Sequence, residues 1–347
     1  MEIVRAGGRK YSDPDVLALM RESGALADPR SLILTQARRL NEKYRRFDSP
    51  NVTPRERLQH LASLVGLSVV PMNLERRKEK SRDAVLLMRA NGNGNKGQIF
   101  YNPDRPDGRV NFTIAHEIGH TFFPTTSTGA RFRDMHELNS REARELENLC
   151  DLAAAELLMP LDDFLRAAAR EWSLSNVPRL AMLFGGSFEA TAFRLATAHP
   201  GVAAAGLLQF RLRKNEQRTL EAQCQRARQV RLFRDRSLKN SEKIERKYRR
   251  QSFYTSDLFP TALTVRWNKS FADTSIVYEA ARNQNLLRSQ ESLPSGSDTR
   301  GVLEVRRALI SETILILNTP ILFSFGLQDG TRRIELMGPQ RRKTAAF

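Results

Sequence analysis

The most constraining feature of this chain is a pair of histidines four residues apart, with a glutamate directly after the first. The stretch reads His116-Glu117-Ile118-Gly119-His120. On an α-helix, residues i and i+4 lie one above the other on one face, so both imidazoles can reach one metal ion at about 2 Å. Glu117 then lies beside the water that such an ion activates. The pattern predicts a hydrolytic zinc site with His116 and His120 as ligands and Glu117 as general base.

The residues around the motif favour a helix. Apolar or small residues recur at spacings of three and four and give one face for burial: Phe112, Ala115, Gly119 and Phe122. Gly119 also allows another backbone to approach closely. Because Pro124 cannot continue the hydrogen-bond ladder, we expect the helix to end near Phe123.

A zinc protease site needs a third protein ligand and keeps a fourth position open. The metzincin arrangement places a third histidine shortly after the motif. It is excluded here because Thr126 stands at that position and Phe123 replaces the glycine. The remaining candidate is a glutamate on a second helix.

A second helix is predicted from Arg141 to Met159, ended by Pro160. Glu147 and Asp151 lie at i and i+4 on it. Taken alone, an acidic pair on a helix rich in Leu and Ala is more typical of a solvated face. Given the upstream motif, we expect Glu147 to bind zinc. Asp151 would accept a hydrogen bond from the distal nitrogen of a ligating histidine and so fix its tautomer.

Two segments, Asn111–His120 and Glu147–Pro160, resemble the signature helices of the ImmA/IrrE family of zinc metallopeptidases. The resemblance extends over roughly residues 53–200. It implies a zincin-like α+β domain with a mainly helical active site, a small sheet and a gluzincin-type Zn²⁺ site. Family members typically cleave or otherwise inactivate a helix-turn-helix repressor, so the resemblance also implies a regulatory protease.

The same resemblance implies individual roles: His116, His120 and Glu147 as ligands and Glu117 as base. The sequence departs from the family pattern at two places. Ala153 stands where the family often has Phe, and Phe123-Pro124 replace a His often found just after the motif. Neither change affects the proposed ligands.

The region before the motif is predicted to hold a helix and three strands. Thr53-Pro54-Arg55-Glu56 has the form of a capping box, and Gly66 is expected to stop the helix that it opens. Residues 67–70, 84–88 and 98–101 are rich in β-formers, with a glycine- and asparagine-rich loop at 91–97. The last run contains Ile99, Phe100 and Tyr101 and leads into the catalytic helix. It either lines the cleft and binds an extended substrate as a further strand, or it is an ordinary structural hairpin.

Residues 177–195 read as a helix, a glycine turn and a second helix capped by serine. This element resembles the helix-turn-helix-like part that follows the catalytic helices in the same family. Helix pairs of this kind read DNA in some proteins. Packing against the catalytic helices is the favoured interpretation, because Arg194 alone on the second helix has a side chain suited to bases or phosphates.

The formal net charge of the chain is +17, and most of the excess lies in one segment. Residues 211–250 hold 15 basic and 5 acidic residues. The simpler interpretation is a solvated basic surface. The more specific one is a surface that contacts nucleic acid or an acidic partner. After Pro200 we expect strands at 203–211, 275–278, 312–317 and 321–325 and a loop at 292–298. They predict a second, basic α+β domain over residues 201–347, used for sensing or substrate recognition, while residues 1–52 form a helical N-terminal extension.

Cys150 and Cys224 are too few for a disulfide framework, which favours a reducing cytoplasm. Residues 1–15 lack the apolar stretch of a secretion signal, and no apolar run is long enough to span a bilayer. Each of the other histidines, His60, His136 and His199, is expected to be structural or solvated because it has no partner in the pattern.

Two functions from different classes remain. The first is a cytoplasmic zinc endopeptidase that regulates transcription by cutting a repressor. The alternative is a zinc-stabilised, non-catalytic regulator that binds DNA or a protein partner through its basic C-terminal domain. Glu117 favours the first, since a purely structural zinc site has no need of a general base.

Overall fold

The computed structural model describes residues 4–6, 9–23, 28–45, 52–73, 83–88, 97–124, 141–233, 244–259, 264–266, 269–282, 287–292, 300–307 and 313–320. The chain divides into two compact units. The first comprises residues 1–171 and 176–194, and the second comprises residues 172–175 and 195–347. The predicted loops at 91–97 and 292–298 lie largely outside the described residues, as do the predicted strand at 321–325 and His136.

The first unit is α+β, as predicted. Its strands are β1 (Val4–Ala6), β2 (Arg9–Tyr11), β3 (Leu67–Pro71), β4 (Ala84–Met88) and β5 (Gly97–Tyr101). Its helices are α1 (Pro14–Glu22), α2 (Pro29–Arg45), α3 (Pro54–Leu64), α4 (Asp107–His120), α5 (Arg141–Leu158), α6 (Leu161–Ala168), α7 (Val177–Phe184) and α8 (Phe188–Thr197), the last of which crosses the division between the units.

Helix α3 begins and ends as its sequence predicts. The Thr53 hydroxyl accepts from the backbone N–H of Glu56, and the Glu56 carboxylate accepts from the backbone N–H of Thr53. These two bonds satisfy N–H groups that the first turn of a helix leaves open. Gly66 ends the element with φ of 82°, a conformation that disfavours side chains with a Cβ.

Strand β5 is the central strand of a three-stranded sheet. It pairs in parallel with β3 and antiparallel with β4, so both of its edges are already hydrogen-bonded. Ile99 and Tyr101 are buried, and Phe100 is half-buried. The prediction that residues 98–101 bind substrate by strand addition is therefore wrong, because β5 has no open edge to offer. Within the described part of this sheet, an extended peptide could pair only along the outer strands β3 and β4.

Helices α4 and α5 lie side by side, and Gly119 sets how closely they approach. A Cβ on Gly119 would lie 3.0 Å from Cβ of Ala153 and 3.3 Å from the carbonyl oxygen of Cys150. A Cβ at position 119 would require its neighbours on α5 to shift by a few tenths of an ångström, and a branched side chain would require more. Helix α4 ends at His120, and a final turn continues to Phe123, whose N–H donates to the carbonyl of His120.

The N-terminal residues belong to the core of the first unit rather than to a separate extension. Residues of the β1–β2 hairpin, α1 and α2 share one apolar cluster with residues of α5: Ala6, Tyr11, Val16, Leu17, Leu19, Met20, Ile33, Leu146, Leu149, Cys150 and Ala153. The Glu145 carboxylate also accepts from the backbone N–H groups of Ser12 and Asp13 at 2.7 and 3.1 Å. A domain boundary at residue 52 is therefore not observed. These residues support α5, one of the two helices that carry the predicted ligands.

Helices α7 and α8 form the predicted helix, glycine turn and serine-capped helix. Gly185 has φ of 69°, and the Ser187 hydroxyl accepts from the N–H of Ala190. Arg194 turns inward: its guanidinium donates to Glu156 at 2.6 Å, and the Arg194 and Glu156 side chains are only 10% and 2% exposed. Arg194 therefore links α8 to α5 through this ion pair, and its side chain is not positioned to contact DNA.

The second unit is built on a five-stranded antiparallel sheet in the order β7-β6-β10-β9-β8. Its strands are β6 (Ala204–Arg211), β7 (Lys247–Thr255), β8 (Leu287–Ser292), β9 (Arg300–Arg307) and β10 (Thr313–Pro320), and its helices are α9 (Lys214–Phe233) and α10 (Ile276–Arg282). The strand predicted at 275–278 is wrong. The Ser275 hydroxyl accepts from the N–H of Val277 and opens α10, which buries Val277 and Ala280.

The basic segment 211–250 contains α9 and the start of β7. Most residues from Arg213 to Gln225 are exposed, as a solvated helix would be. Arg249 is an exception, since it is 2% exposed and pairs with Glu216 at 3.2 Å. Part of the positive charge of this segment is thus paired with a carboxylate inside the second unit. Among the described helices, none has the length and apolar character needed to cross a bilayer.

Candidate metal centre

The two histidines of the motif and Glu147 come together where α4 packs on α5. Nε2 of His116 lies 3.0 Å from Oε2 of Glu147, and Nε2 of His120 lies 4.0 Å from Oε1 of the same carboxylate. The two imidazole ring centroids are 4.9 Å apart. The spacing of four residues on α4 thus points both Nε2 atoms at one carboxylate of the neighbouring helix.

The other nitrogen of each ring meets a different side chain of α5. Nδ1 of His116 lies 2.9 Å from Oδ1 of Asp151. Nδ1 of His120 lies 3.4 Å from Sγ of Cys150, which is fully buried. A partner at Nδ1 holds the ring orientation and leaves Nε2 as the nitrogen that can bind a metal. Residues 150 and 151 therefore lie behind the two rings, while Glu147 lies in front of them.

The electrostatics of the site favour a positive charge between the carboxylates. Burial alone would lower the pKa of His116, but hydrogen bonds with Asp151 and Glu147, together with the nearby charge of Glu117, raise the pKa to about 10. The same groups that hold a proton on His116 would stabilise a divalent cation in its place. Glu117 is half-buried and contributes its charge to this environment.

His116, His120 and Cys150 each offer a ligand atom within 4.8 Å of the others and could hold a metal ion. Proximity alone does not decide which atoms would bind. The Cys150 thiol contacts Nδ1 of His120, the nitrogen on the far side of the ring from Glu147. A set of two Nε2 atoms and the Glu147 carboxylate converges from one side, and imidazole and carboxylate ligands suit zinc.

Sequence reasoning missed the contact between Cys150 and His120. The available signal was the position of Cys150 three residues after Glu147 and directly before Asp151, on the face of α5 that meets α4. The remaining described histidines stand apart from this centre. The His60 ring stacks on Tyr44, and Nδ1 of His199 accepts from the N–H of Gly201.

The fold and the site together define a metallopeptidase-like α+β domain. In this domain helix α4, which carries the motif from His116 to His120, packs on helix α5, which carries Glu147 and Asp151. Residues 62–196 match the model of the Peptidase_M78 family, which is described as the IrrE N-terminal-like domain. The resemblance seen in the two signature segments is thereby confirmed.

No curated protein matches the chain. Several solved structures match, among them one described as a Mycobacterium tuberculosis transcriptional regulator, which is 14% identical with a TM-score of 0.46, over 84% of this chain and 76% of that chain.

Proposed function

We propose that the first unit is a zinc-dependent endopeptidase. The observation that supports this most directly is the convergence of His116 Nε2 and His120 Nε2 on the Glu147 carboxylate, with Glu117 next to His116 in the chain. A site that only stabilised the fold would be closed by four protein ligands and would not need a second carboxylate beside the metal.

In this proposal His116, His120 and Glu147 hold the ion, and Asp151 and Cys150 hold the two rings that present it. Bound zinc would supply a Lewis acid that polarises the scissile carbonyl and lowers the pKa of water toward about 7. These side chains already lie close together, so little rearrangement is needed for them to hold an ion.

Glu117 has the proton-transfer role. As general base its carboxylate takes a proton from the attacking water, and as general acid it returns that proton to the leaving amine. Its placement directly after His116 on α4 keeps it within reach of the metal without making it a ligand. Its half-buried environment limits competition from bulk water for the transferred proton.

The resemblance of the signature segments supports the biological role. On that basis we propose that the substrate is a helix-turn-helix repressor and that cleavage regulates transcription, in the cytoplasm that the cysteine usage favours. The alternative is a zinc-stabilised regulator that binds nucleic acid or a partner without cleaving it. The exposed basic face of α9 supports that alternative, whereas Glu117 argues for catalysis.

The decisive experiment compares the zinc-loaded protein with its Glu117→Gln variant on a diverse peptide library read by mass spectrometry. We expect the wild-type protein to cut peptides and the variant to bind zinc equally well but cut at a rate reduced by about 10² or more. Glu145→Gln is a matched control, because Glu145 lies on α5 but bonds to Ser12 and Asp13. Equal rates of peptide cleavage by the wild-type protein and Glu117→Gln at full zinc content would contradict the proposal and support the non-catalytic alternative.

A further inference from the structure

The first unit contains a groove of about 560 Å³ formed by residues at the start of α3, the end of α5, and helices α6 and α7. None of the residues of the metal centre lines it. Its lining combines apolar side chains, among them Leu183 and Phe184, with the arginines Arg57, Arg166, Arg170 and Arg179. The volume lies in the range of sites that bind ligands.

Every cationic residue that lines the groove is an arginine, and the groove has one acidic residue. That residue, Asp163, is already paired with Arg45 at 2.9 Å and with Arg166. The groove therefore has a surplus of positive charge. A guanidinium presents a planar fork of donors that matches a carboxylate in two parallel hydrogen bonds, which an ammonium does not.

Two of the arginines are held in place by the protein itself. Arg57 donates to the carbonyl of Leu157 at 2.8 Å and lies over the ring of Tyr44. Arg179 donates from Nε to the side chain of Asn176 at 2.8 Å. Arg57 also donates to the side chain of Asn41, and Arg179 to the carbonyl of Ala167, both at 2.5 Å. A guanidinium fixed in this way loses little entropy when it binds an anion. Arg170 is exposed and makes no ion pair within the described part of the chain.

The apolar part of the groove continues onto an exposed face of α7. Leu183 lines the groove and is 54% exposed, and its neighbour Met182 is 79% exposed. Exposed Met and Leu side chains beside arginines are typical of surfaces that bind proteins, since Met and Arg are enriched at such interfaces. A small inorganic anion would use the arginines and leave the apolar surface uncovered.

We propose that this arginine groove binds an acidic polypeptide segment whose carboxylates pair with the guanidiniums and whose apolar side chains cover Leu183 and Phe184. This deepens the proposed function, because the groove would then be a docking site for the protein substrate. Leu158 lies eleven residues after Glu147 on α5, which is about 16 Å along the helix. An extended chain covers that distance in about five residues, so one substrate can occupy both places.

The test measures binding of a fluorescein-labelled peptide of repeating Glu-Glu-Leu by fluorescence polarisation, with the full-length protein stripped of metal. We expect the dissociation constant to rise at least about tenfold in Arg166→Glu/Arg170→Glu. Arg170→Glu alone removes no hydrogen bond or ion pair of the described residues and should give a smaller loss in the same direction. A peptide with Lys in place of Glu should not bind.

The matched control is Lys214→Glu/Arg218→Glu on α9, which changes the net charge equally but lies outside the groove. A dissociation constant that changes by less than about twofold in this control supports the groove. An equal increase in both double variants would show that the peptide is attracted to the basic protein as a whole. Absence of binding up to about 1 mM would overturn the proposal. So would an oligothymidine of equal charge that competes fully, since it would assign the groove to nucleic acid. Because neither metal nor cleavage is needed, the result is independent of whether the protein is a peptidase.

Discussion

Sγ of Cys150 lies 3.4 Å from Nδ1 of His120, on the side of the ring away from Glu147. The next residue, Asp151, makes the corresponding contact with His116 at 2.9 Å. Two consecutive residues of α5 thus hold the two imidazoles of α4, one through a thiol and the other through a carboxylate. A neutral thiol accepts more weakly than a carboxylate, so the two histidines are held with unequal strength.

The contact predicts that Cys150→Ala weakens zinc binding by about tenfold, because His120 loses the partner that orients it. Competition with a chromophoric chelator measures the affinity. Asp151→Ala should cost more, about tenfold to a hundredfold.

Cys224→Ala is the control for this prediction, since Cys224 is an exposed cysteine in the second unit. Cys150→Ser provides the rescue, because a hydroxyl can accept from Nδ1–H of His120. An affinity for Cys150→Ala equal to that of wild type would assign the thiol to core packing alone.

Zinc affinity should rise with pH. In the protein without metal, His116 has a pKa of about 10 because Asp151 and Glu147 stabilise its charged form. The contribution of this group to stability is complete below its unfolded pKa of about 6.5 and is lost as the pH rises toward 10. Zinc must displace that proton, so apparent affinity should increase by about tenfold per unit between about pH 7 and 9. Affinities measured across this window check the slope, and a flat profile would show that His116 is already neutral.

Arg194→Ala should destabilise the protein by about 3 kcal/mol, because it leaves Glu156 buried with a weaker set of partners. Arg38→Ala is a matched control. Arg38 bonds to the same carboxylate at 3.3 Å but is 48% exposed, so its loss should cost about 0–1 kcal/mol. Urea unfolding measures both changes. Equal, small effects would mean that Arg194 is hydrated in solution and available for other contacts.

Gly119→Val should reduce zinc binding without touching any ligand. The Cβ alone would lie 3.0 Å from Cβ of Ala153, so a branched side chain must separate α4 from α5. His116 and His120 would then move away from Glu147. Paired measurements of zinc content and thermal unfolding test this, with Gly201→Val, a glycine substitution in the second unit, as the control. A Gly119→Val protein with full zinc affinity would show that the helix separation is not set at this contact.

Sequence alone predicted the local elements well where the signals were local. The capping box at Thr53, the proline after α5 and the spacing of His116 and His120 each depend on neighbours within one helical turn. Ser275 was the harder case. The β-branched and aromatic run that follows it suggested a strand, but the serine cap and the burial of Val277 against the sheet made it a helix.

Contacts between residues far apart in the chain were harder to predict from the sequence. Nothing in the run from Gln98 to Tyr101 indicates whether the strand is central or at an edge, since strand order is set by residues far apart in the chain. Arg194 illustrates the same limit. The sequence favoured packing of its helix against the catalytic helices but did not identify the partner of Arg194, because the carboxylate that it meets lies 38 residues earlier, in α5.

The contacts of α5 with both imidazoles have a consequence for insertions and deletions. Glu147, Cys150 and Asp151 face α4 only because their spacings match the periodicity of the helix, about 100° per residue. One added or deleted residue between Glu147 and Cys150 would turn the two following contacts by that angle, away from the rings. A substitution at a single position can weaken metal binding partially. An insertion or deletion between Glu147 and Cys150 would remove the contacts of Cys150 and Asp151 with the two rings together.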